Sequence, residues 1–367
     1  MKTTRIDWAE CHLPLPRPIV LGPVRITTRN CVALRIHTDK GIVGEALGYT
    51  RGTPLFATLK EVAPSFLGIS PHSRKSIIET FLRGLVNGRP SFVRAVSLID
   101  IALTDIAAKS AQLPLFRMLG GDRHRVPLMS VVGYYLTERD NESVRDEIKR
   151  RVDEGYTRIK MMIRGNNIAA DESLIEMVAP LAPGMIGADA HWAWQTLPEA
   201  LATCRRIDGF GLRFIEDPFG PSRNGLLARL QSSLSTPLAA GEDMPDIDSL
   251  VQLANVVGAL RVDATTCGGV SAAVSAIVAG GLRGCEILPH VHTEIHTQLA
   301  GAFSEISCAE ITPPDVGADP LHMIQKHHLH IEDGFACLSE EPGAGLTLDW
   351  EAVERHAFDV GSAEFSI

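Results

Sequence analysis

The 367-residue sequence predicts an α/β protein: a (β/α)8, or TIM, barrel joined to a smaller α+β unit. Three observations predict it. Beyond Gly120-Gly121, short apolar runs alternate with helical patterns, as buried parallel strands and their crossover helices do. Eight such runs follow in series: PLMSVVGY, TRIKMMI, MIGADA, LRFIED, PLAAGE, ALRVDA, CEILPH and EISCAE. Finally, Asp189, Glu216, Glu242, Asp263, His290 and Glu310 each fall at or near the end of one run, 27, 26, 21, 27 and 20 residues apart. Each interval is one strand-helix unit, so parallel strands would carry all six side chains to a single mouth.

The elements before and after the barrel have a different texture. TTRIDWAE and CVALRIHTDKGIVGEALGY alternate apolar and polar residues, with Asp39-Lys40-Gly41 as a hairpin turn, and predict a small antiparallel sheet. Helical spacing follows over 54–68, 72–87 and 92–111. It is clearest in the last, where Val93, Val96, Leu98, Ile99, Ala102, Leu103 and Ile106 form one apolar stripe. Past residue 320, HLHIEDGFACLSEEPGAGLTL reads as strand, turn and strand, and DWEAVERHAF as a final helix. This tail is expected to return to the first sheet, which divides the chain into 1–124, 125–320 and 321–367.

Composition narrows the partners. Hydrophobic content of 45% with 22% charged residues is that of a globular chain with a sizeable core. A net charge of −9 provides no basic field for nucleic acid or anionic lipid. The opening MKTTRIDWAECHLPLP is charged where a signal peptide is apolar, and no run approaches the roughly 18 apolar residues of a membrane span, so a cytoplasmic location is expected. Seven scattered cysteines without a C-x-x-C pair predict reduced, packing thiols. The tract Lys326-His327-His328-Leu329-His330 lies outside the barrel and is expected to be solvated surface.

The strand-end residues suggest a chemistry. Three carboxylates on adjacent strands, Asp189, Glu216 and Glu242, suit a hard divalent cation, most naturally Mg²⁺, whereas zinc would draw Cys or His. On the next two strands, Asp263 can hold one ring nitrogen of His290 and raise the basicity of the other, which makes a general base. Glu310 can exchange a hydrogen bond with a substrate oxygen if neighbouring carboxylates and burial raise its pKa. Together these groups fit removal of a weakly acidic proton beside a carboxylate, with metal and lysine stabilising the enediolate.

These residues, with ALTDIAAKSAQLPLFRMLGG, FIEDP, AAGED, RVDATTCGGV, LPH and PGAGLTLDW, carry a resemblance over essentially the full length to the mandelate racemase subgroup of the enolase superfamily. The resemblance implies a modified barrel with a capping domain made from both termini. It implies Mg²⁺ held by Asp189, Glu216 and Glu242, a His290–Asp263 dyad, and a homo-oligomer. One departure bears on the reaction. Racemases of this group carry K-x-K on the second barrel strand; here RIKMMI keeps Lys160 and places Met162 where the second base would stand. Methionine cannot take a proton, and inversion at one carbon normally needs a base on each face.

Dehydration needs one base, and an acid for the departing hydroxyl. In acid-sugar dehydratases resembling galactonate and mannonate dehydratases a D-x-H motif supplies that acid, and here His191 follows Asp189 in D-A-H. The expected activity is therefore Mg²⁺-dependent dehydration of an aldonic or aldaric acid sugar to a 2-keto-3-deoxy acid. His290 would take the C2 proton, His191 would help the C3 hydroxyl leave, and Lys160 would hold the substrate carboxylate. Arg17, Tyr49 and Arg51 from the N-terminal segment, with His292, are the candidates for specificity. The alternatives are a racemase or epimerase of a 2-hydroxy acid on the same fold, and a non-catalytic sugar-acid binding barrel.

Overall fold

A computed structural model describes residues 1–83, 88–221 and 223–365. The long hairpin of β1 (Thr3–Leu21) and β2 (Val24–Thr38) and the following β3 (Val43–Tyr49) form an antiparallel sheet. A last strand of the chain joins its outer edge, giving the order β14-β1-β2-β3, where β14 is Ala357–Glu364. The β1–β2 turn turns on Gly22, whose φ is 49°. A Cβ there would overlap the carbonyl oxygen of His191, so only glycine lets the hairpin tip rest on the barrel.

The predicted helices shift at their ends. The first spans Leu55–Val62 and continues as a 3₁₀ turn; the second runs from Arg74 to Arg83, with 84–87 outside the described residues. The third, Arg89–Ser110, is buried nearly all round from Val93 to Ala108. Its apolar stripe packs on β3, while its polar positions meet the barrel and the C-terminal segment. Ser97 Oγ accepts from the Gly268 amide at 2.9 Å, Asp100 from the Ser271 amide at 3.0 Å, and Asp105 from the amides of Glu45 and Ala344 at 3.0 and 2.8 Å. The polar residues between the stripe positions thus satisfy buried backbone donors between the units.

All eight predicted barrel runs form strands: β4 (Arg125–Val132), β5 (Arg158–Met162), β6 (Ile186–Asp189), β7 (Ile215–Glu216), β8 (Leu238–Ala240), β9 (Ala259–Val262), β10 (Glu286–Pro289) and β11 (Ala309–Ile311). Each pairs in parallel with the next through β10, β11 pairs with β4, and a bridge between Ile287 and Ile306 closes the ring. Two to eight residues suffice for each strand because both faces are covered, by interior side chains and by outer helices. No helix among the described residues is long and apolar enough to cross a membrane.

The tail divides, where the sequence reading sends all of 321–367 to the terminal sheet. β12 (His330–Glu332) and β13 (Phe335–Cys337) form a hairpin whose second strand pairs antiparallel with β4 of the barrel. The start of β4 extends beyond its parallel neighbours and leaves backbone groups for β13 to pair. β14 pairs with β1, and Leu321, Ile324, Ala352 and Val353 of the tail pack against Ala9, Cys11 and Leu13 of the same strand. The intervening chain is anchored by Glu45, which accepts from the Leu348 amide at 3.0 Å and the Trp350 indole at 2.6 Å. Lys326, His327, His328 and His330 are exposed.

Candidate active site

The strands end together, and left-handed backbone gathers where they do. His191, Trp192, Asp217, Val291 and His292 follow β6, β7 and β10 with φ between 39° and 63°. Each such residue costs on the order of 1–3 kcal/mol, a strain usual where a turn must aim a functional group.

Lys160 on β5 lies among three acids, its Nζ 3.0 Å from Glu216 Oε1, 3.0 Å from Glu310 Oε2 and 3.3 Å from Asp189 Oδ2. Burial opposes its charge, but those acids outweigh it and raise its pKa. A second cation, Arg261 on β9, is wholly buried beneath them, with Nε 3.1 Å from Glu216 Oε1 and a terminal nitrogen on Glu310. It also donates to the carbonyls of Leu288 and Pro289, both at 3.2 Å. Burial pushes Glu216 up to about 7 in spite of Arg261 and Lys160.

Glu310 behaves in the opposite way to the sequence expectation. Burial would raise it, but Arg261 and Lys160 prevail and hold it at about 2. It is a standing carboxylate, an acceptor and not a proton donor. The expectation counted the acids around Glu310 and left out Arg261. Strand alternation could have found this residue, because Arg261 lies two positions before Asp263 and so on the same face of β9.

The dyad is assembled. His290 Nδ1 is 2.9 Å from Asp263 Oδ2, and Asp263 Oδ1 accepts from the amide and hydroxyl of Thr265, both at 2.7 Å. Burial disfavours the Asp263 carboxylate, yet its bond with His290 and the nearby His292 and His296 hold it well below the usual range. That bond is a donation from Nδ1–H, and it aims His290 Nε2, the other ring nitrogen, at the cavity, 3.3 Å from Glu242 Oε2. The buried His296, missed by the sequence reading, accepts from the Ala264 amide at 3.1 Å and donates to the Val291 carbonyl at 2.6 Å. It ties together the two turns that carry the dyad.

Glu242 is reached from the terminal domain. Arg51, in the loop after β3, places a guanidinium nitrogen 2.6 Å from Glu242 Oε1 and also contacts Asp243, which Arg94 holds from the long helix. Burial raises Glu242, but His290, Arg51, Lys160 and His191 together bring it well below its ordinary value.

His191 is buried, its ring stacked on Trp192 with centroids 4.7 Å apart. Its amide donates to Asp189 Oδ1 at 2.9 Å, so the D-A-H turn orients the acid as well as placing the imidazole. Burial lowers the His191 pKa, with Arg51 and Lys160 adding to it against Asp189 and Glu242. The ring is therefore neutral near pH 7.

A single cavity is lined by Lys160, Met162, Asp189, His191, Glu242, His290 and Glu310 from the barrel. Leu21, Ile26, Arg29, Tyr49 and Arg51 close it from the terminal domain. Tyr49 and Arg51 are thus among the residues brought to it. Two other specificity candidates are not. Arg17 pairs with Glu138 at 2.8 Å on the surface and stacks over Tyr135 at 4.2 Å. His292 packs behind the cavity against Tyr49, with ring centroids 5.0 Å apart. It follows His290 by two positions, but its backbone is left-handed, with φ 41°, and its ring is not among those lining the cavity.

The acids gather in a way that departs in part from the predicted ligand set. Glu216, Asp217 and Glu242 offer oxygens that lie within 4.8 Å of one another. Asp217, next to Glu216, would face away in a regular strand, but its φ of 44° turns it back. Asp189 stands beside this group, one oxygen on the His191 amide and the other facing Lys160. Glu216 Oε2 is buried without any hydrogen-bond partner. An all-oxygen donor set with an unsatisfied carboxylate oxygen fits a hard divalent cation.

Comparison with known proteins agrees with the fold. The mandelate racemase / muconate lactonizing enzyme N-terminal domain model matches residues 6–120, and the enolase C-terminal domain-like model matches 143–353. The chain is 27% identical over 368 residues to the L-talarate/galactarate dehydratase of Salmonella typhimurium, covering 95% of this chain and 90% of that one. It is 25% identical to the N-succinyl-L-Arg/Lys racemase of Bacillus cereus, covering 97% and 98%. The crystal structure of the Salmonella enzyme liganded with Mg and L-lyxarohydroxamate superposes with a TM-score of 0.89 at 24% identity, covering 99% and 95%, a likeness of fold. Terminal sheet, barrel and strand-end acids come together in one conclusion: this chain is an enzyme of the mandelate racemase / muconate lactonizing enzyme family, with the enolase-like C-terminal barrel.

Proposed function

We propose that the protein is a Mg²⁺-dependent hydro-lyase that converts an aldonic or aldaric acid sugar to a 2-keto-3-deoxy acid. One observation carries this reading. The cavity holds one oriented base, His290 backed by Asp263, and at the position on β5 where a second base would stand it holds the buried thioether of Met162. Removal of a proton followed by loss of a β-hydroxyl needs one base; inversion at one carbon needs two.

Asp189, Glu216 and Glu242 would hold the cation, with Asp217 adjacent. When bound, Mg²⁺ supplies positive charge for the carboxylate oxygens as the enediolate forms. The chain's own groups do the rest. Lys160 binds the substrate carboxylate and Glu310 accepts a hydrogen bond from a hydroxyl. His290 Nε2 takes the C2 proton while Asp263 keeps the ring in the correct tautomer. His191 gives a proton to the leaving C3 hydroxyl, which departs as water; negative charge developing on the substrate beside it favours its protonated form, and the enol left behind becomes the ketone when C3 takes a proton, for which His290 is the donor. The resemblance to dehydratases of sugar acids supports the substrate class, and the racemase among the relatives keeps racemisation as the second reading.

A panel of acid sugars incubated with Mg²⁺ tests the reading through 2-keto-acid formation. Deuterium at C2 of recovered, inverted substrate with no keto product would favour the racemase instead. For the dehydratase, His191→Asn is expected to slow loss of hydroxide by about 100-fold while C2 proton exchange falls by less than about tenfold. Equal losses in both would remove His191 as a dedicated acid.

A further inference from the structure

The cavity contains a cation that the chemistry above does not use. Arg29, on β2 opposite Leu13 of β1, is half-buried and lines the same space as Lys160 and His290. Its Nε donates to the Ala318 carbonyl at 2.8 Å, which fixes the guanidinium plane. Among the described residues its terminal nitrogens have no hydrogen-bond acceptor, and no carboxylate lies within 4.0 Å of any of its nitrogens. Its guanidinium carbon is 5.4 Å from the Tyr49 ring centroid. Every other arginine or lysine of the cavity wall, Arg51 and Lys160, is already engaged by acids.

Burial opposes the charge of Arg29, and Tyr49, Tyr134 and Asp319 outweigh it and raise its pKa, but none of them accepts a hydrogen bond from the two-pronged end of the guanidinium, which lines the cavity. That open fork matches a carboxylate in two parallel hydrogen bonds. The reacting carboxylate is assigned to Lys160 and to the cation that the acid cluster would hold, which leaves Arg29 without a role in that step. Tyr134, which also lines the cavity, is pushed up by burial, with both Arg29 and Lys160 near enough to act against that. We infer that Arg29 receives the distal carboxylate of a dicarboxylic substrate, so that the enzyme acts on aldaric rather than aldonic acids. The inference rests on the acid-sugar reading of this site and narrows its substrate class.

The test uses full-length, Mg²⁺-loaded protein and matched pairs of an aldarate and the aldonate of the same configuration. Wild type is expected to favour the diacid in kcat/KM by at least about tenfold, and Arg29→Met to lower that preference by roughly 100-fold, chiefly through KM. Arg29→Lys, which keeps the charge but not the fork, should lose about tenfold and serves the same comparison if the methionine variant does not fold. A wild-type preference for the monoacid, or a ratio that both variants leave within about threefold, overturns the inference and leaves dehydration standing. If neither class is turned over, the dehydration reading falls, and calorimetric binding of the same pairs decides the subsite. Diacid binding that weakens selectively in the variants supports it, and equal binding or none overturns it.

Discussion

His290→Asn is expected to lower kcat by about 10³-fold or more, with Mg²⁺ affinity changed by no more than a few-fold. The size follows from geometry. His290 Nε2 is the ring nitrogen left free once Nδ1 is committed to Asp263 at 2.9 Å, and Asp263 is itself held by two bonds from Thr265. An asparagine side chain can keep a hydrogen bond to Asp263 but cannot accept a proton from carbon. Exchange of the C2 proton with deuterated solvent should vanish together with turnover, because Met162 on β5 cannot take it and His191 is assigned to the leaving hydroxyl. Turnover near the wild-type rate would show that another group is the base. Calorimetric Mg²⁺ titration of the variant separates loss of chemistry from loss of the site.

The second large effect is expected at Glu216. Glu216→Gln should weaken Mg²⁺ binding by about 100-fold or more and, above pH 7 where Glu216 carries its charge, destabilise the fold by roughly 3 kcal/mol, a loss that shrinks as pH falls through 7. Glu216 Oε1 lies between Lys160 and Arg261, both buried, while Oε2 is free for a cation. The amide removes a charge from two buried cations at once and leaves them to Glu310 and Asp189. Paired titrations of Asp189→Asn and Asp217→Asn then assign the third ligand. Loss of Mg²⁺ affinity in the Asp189 variant, with Asp217→Asn within a few-fold of wild type, fits the ligand set read from strand spacing. The reverse result would assign the metal to the compact group Glu216, Asp217 and Glu242.

Much of this site was legible in the sequence because a parallel barrel converts sequence spacing into position. Six ionisable residues one strand-helix unit apart had to reach one mouth, and Lys160, Asp189, Glu216, Glu242, Asp263, His290 and Glu310 do converge there. The same logic explains what was missed. Arg261 was visible by strand alternation but was passed over because it sits inside a run that reads as apolar, and its omission inverted the expected state of Glu310. Asp217 and His292 defeat the alternation rule: both have left-handed backbone, and one joins the acid cluster while the other does not line the cavity.

By itself the sequence determined the barrel, the terminal sheet, the dyad and the absence of a second base at Met162, all properties of residue type and spacing along one chain. Tertiary structure alone decided which parts of the terminal domain close the site. Arg51 reaches Glu242 across 191 positions, Gly22 rests on His191, Arg29 faces the cavity, and Arg17 turns to Glu138 instead. It also split the tail between β4 and β1. No local period encodes these contacts. They depend on how the terminal sheet docks on the barrel, through the buried polar face of helix Arg89–Ser110, and docking of that kind is a sum over residues that are distant in sequence.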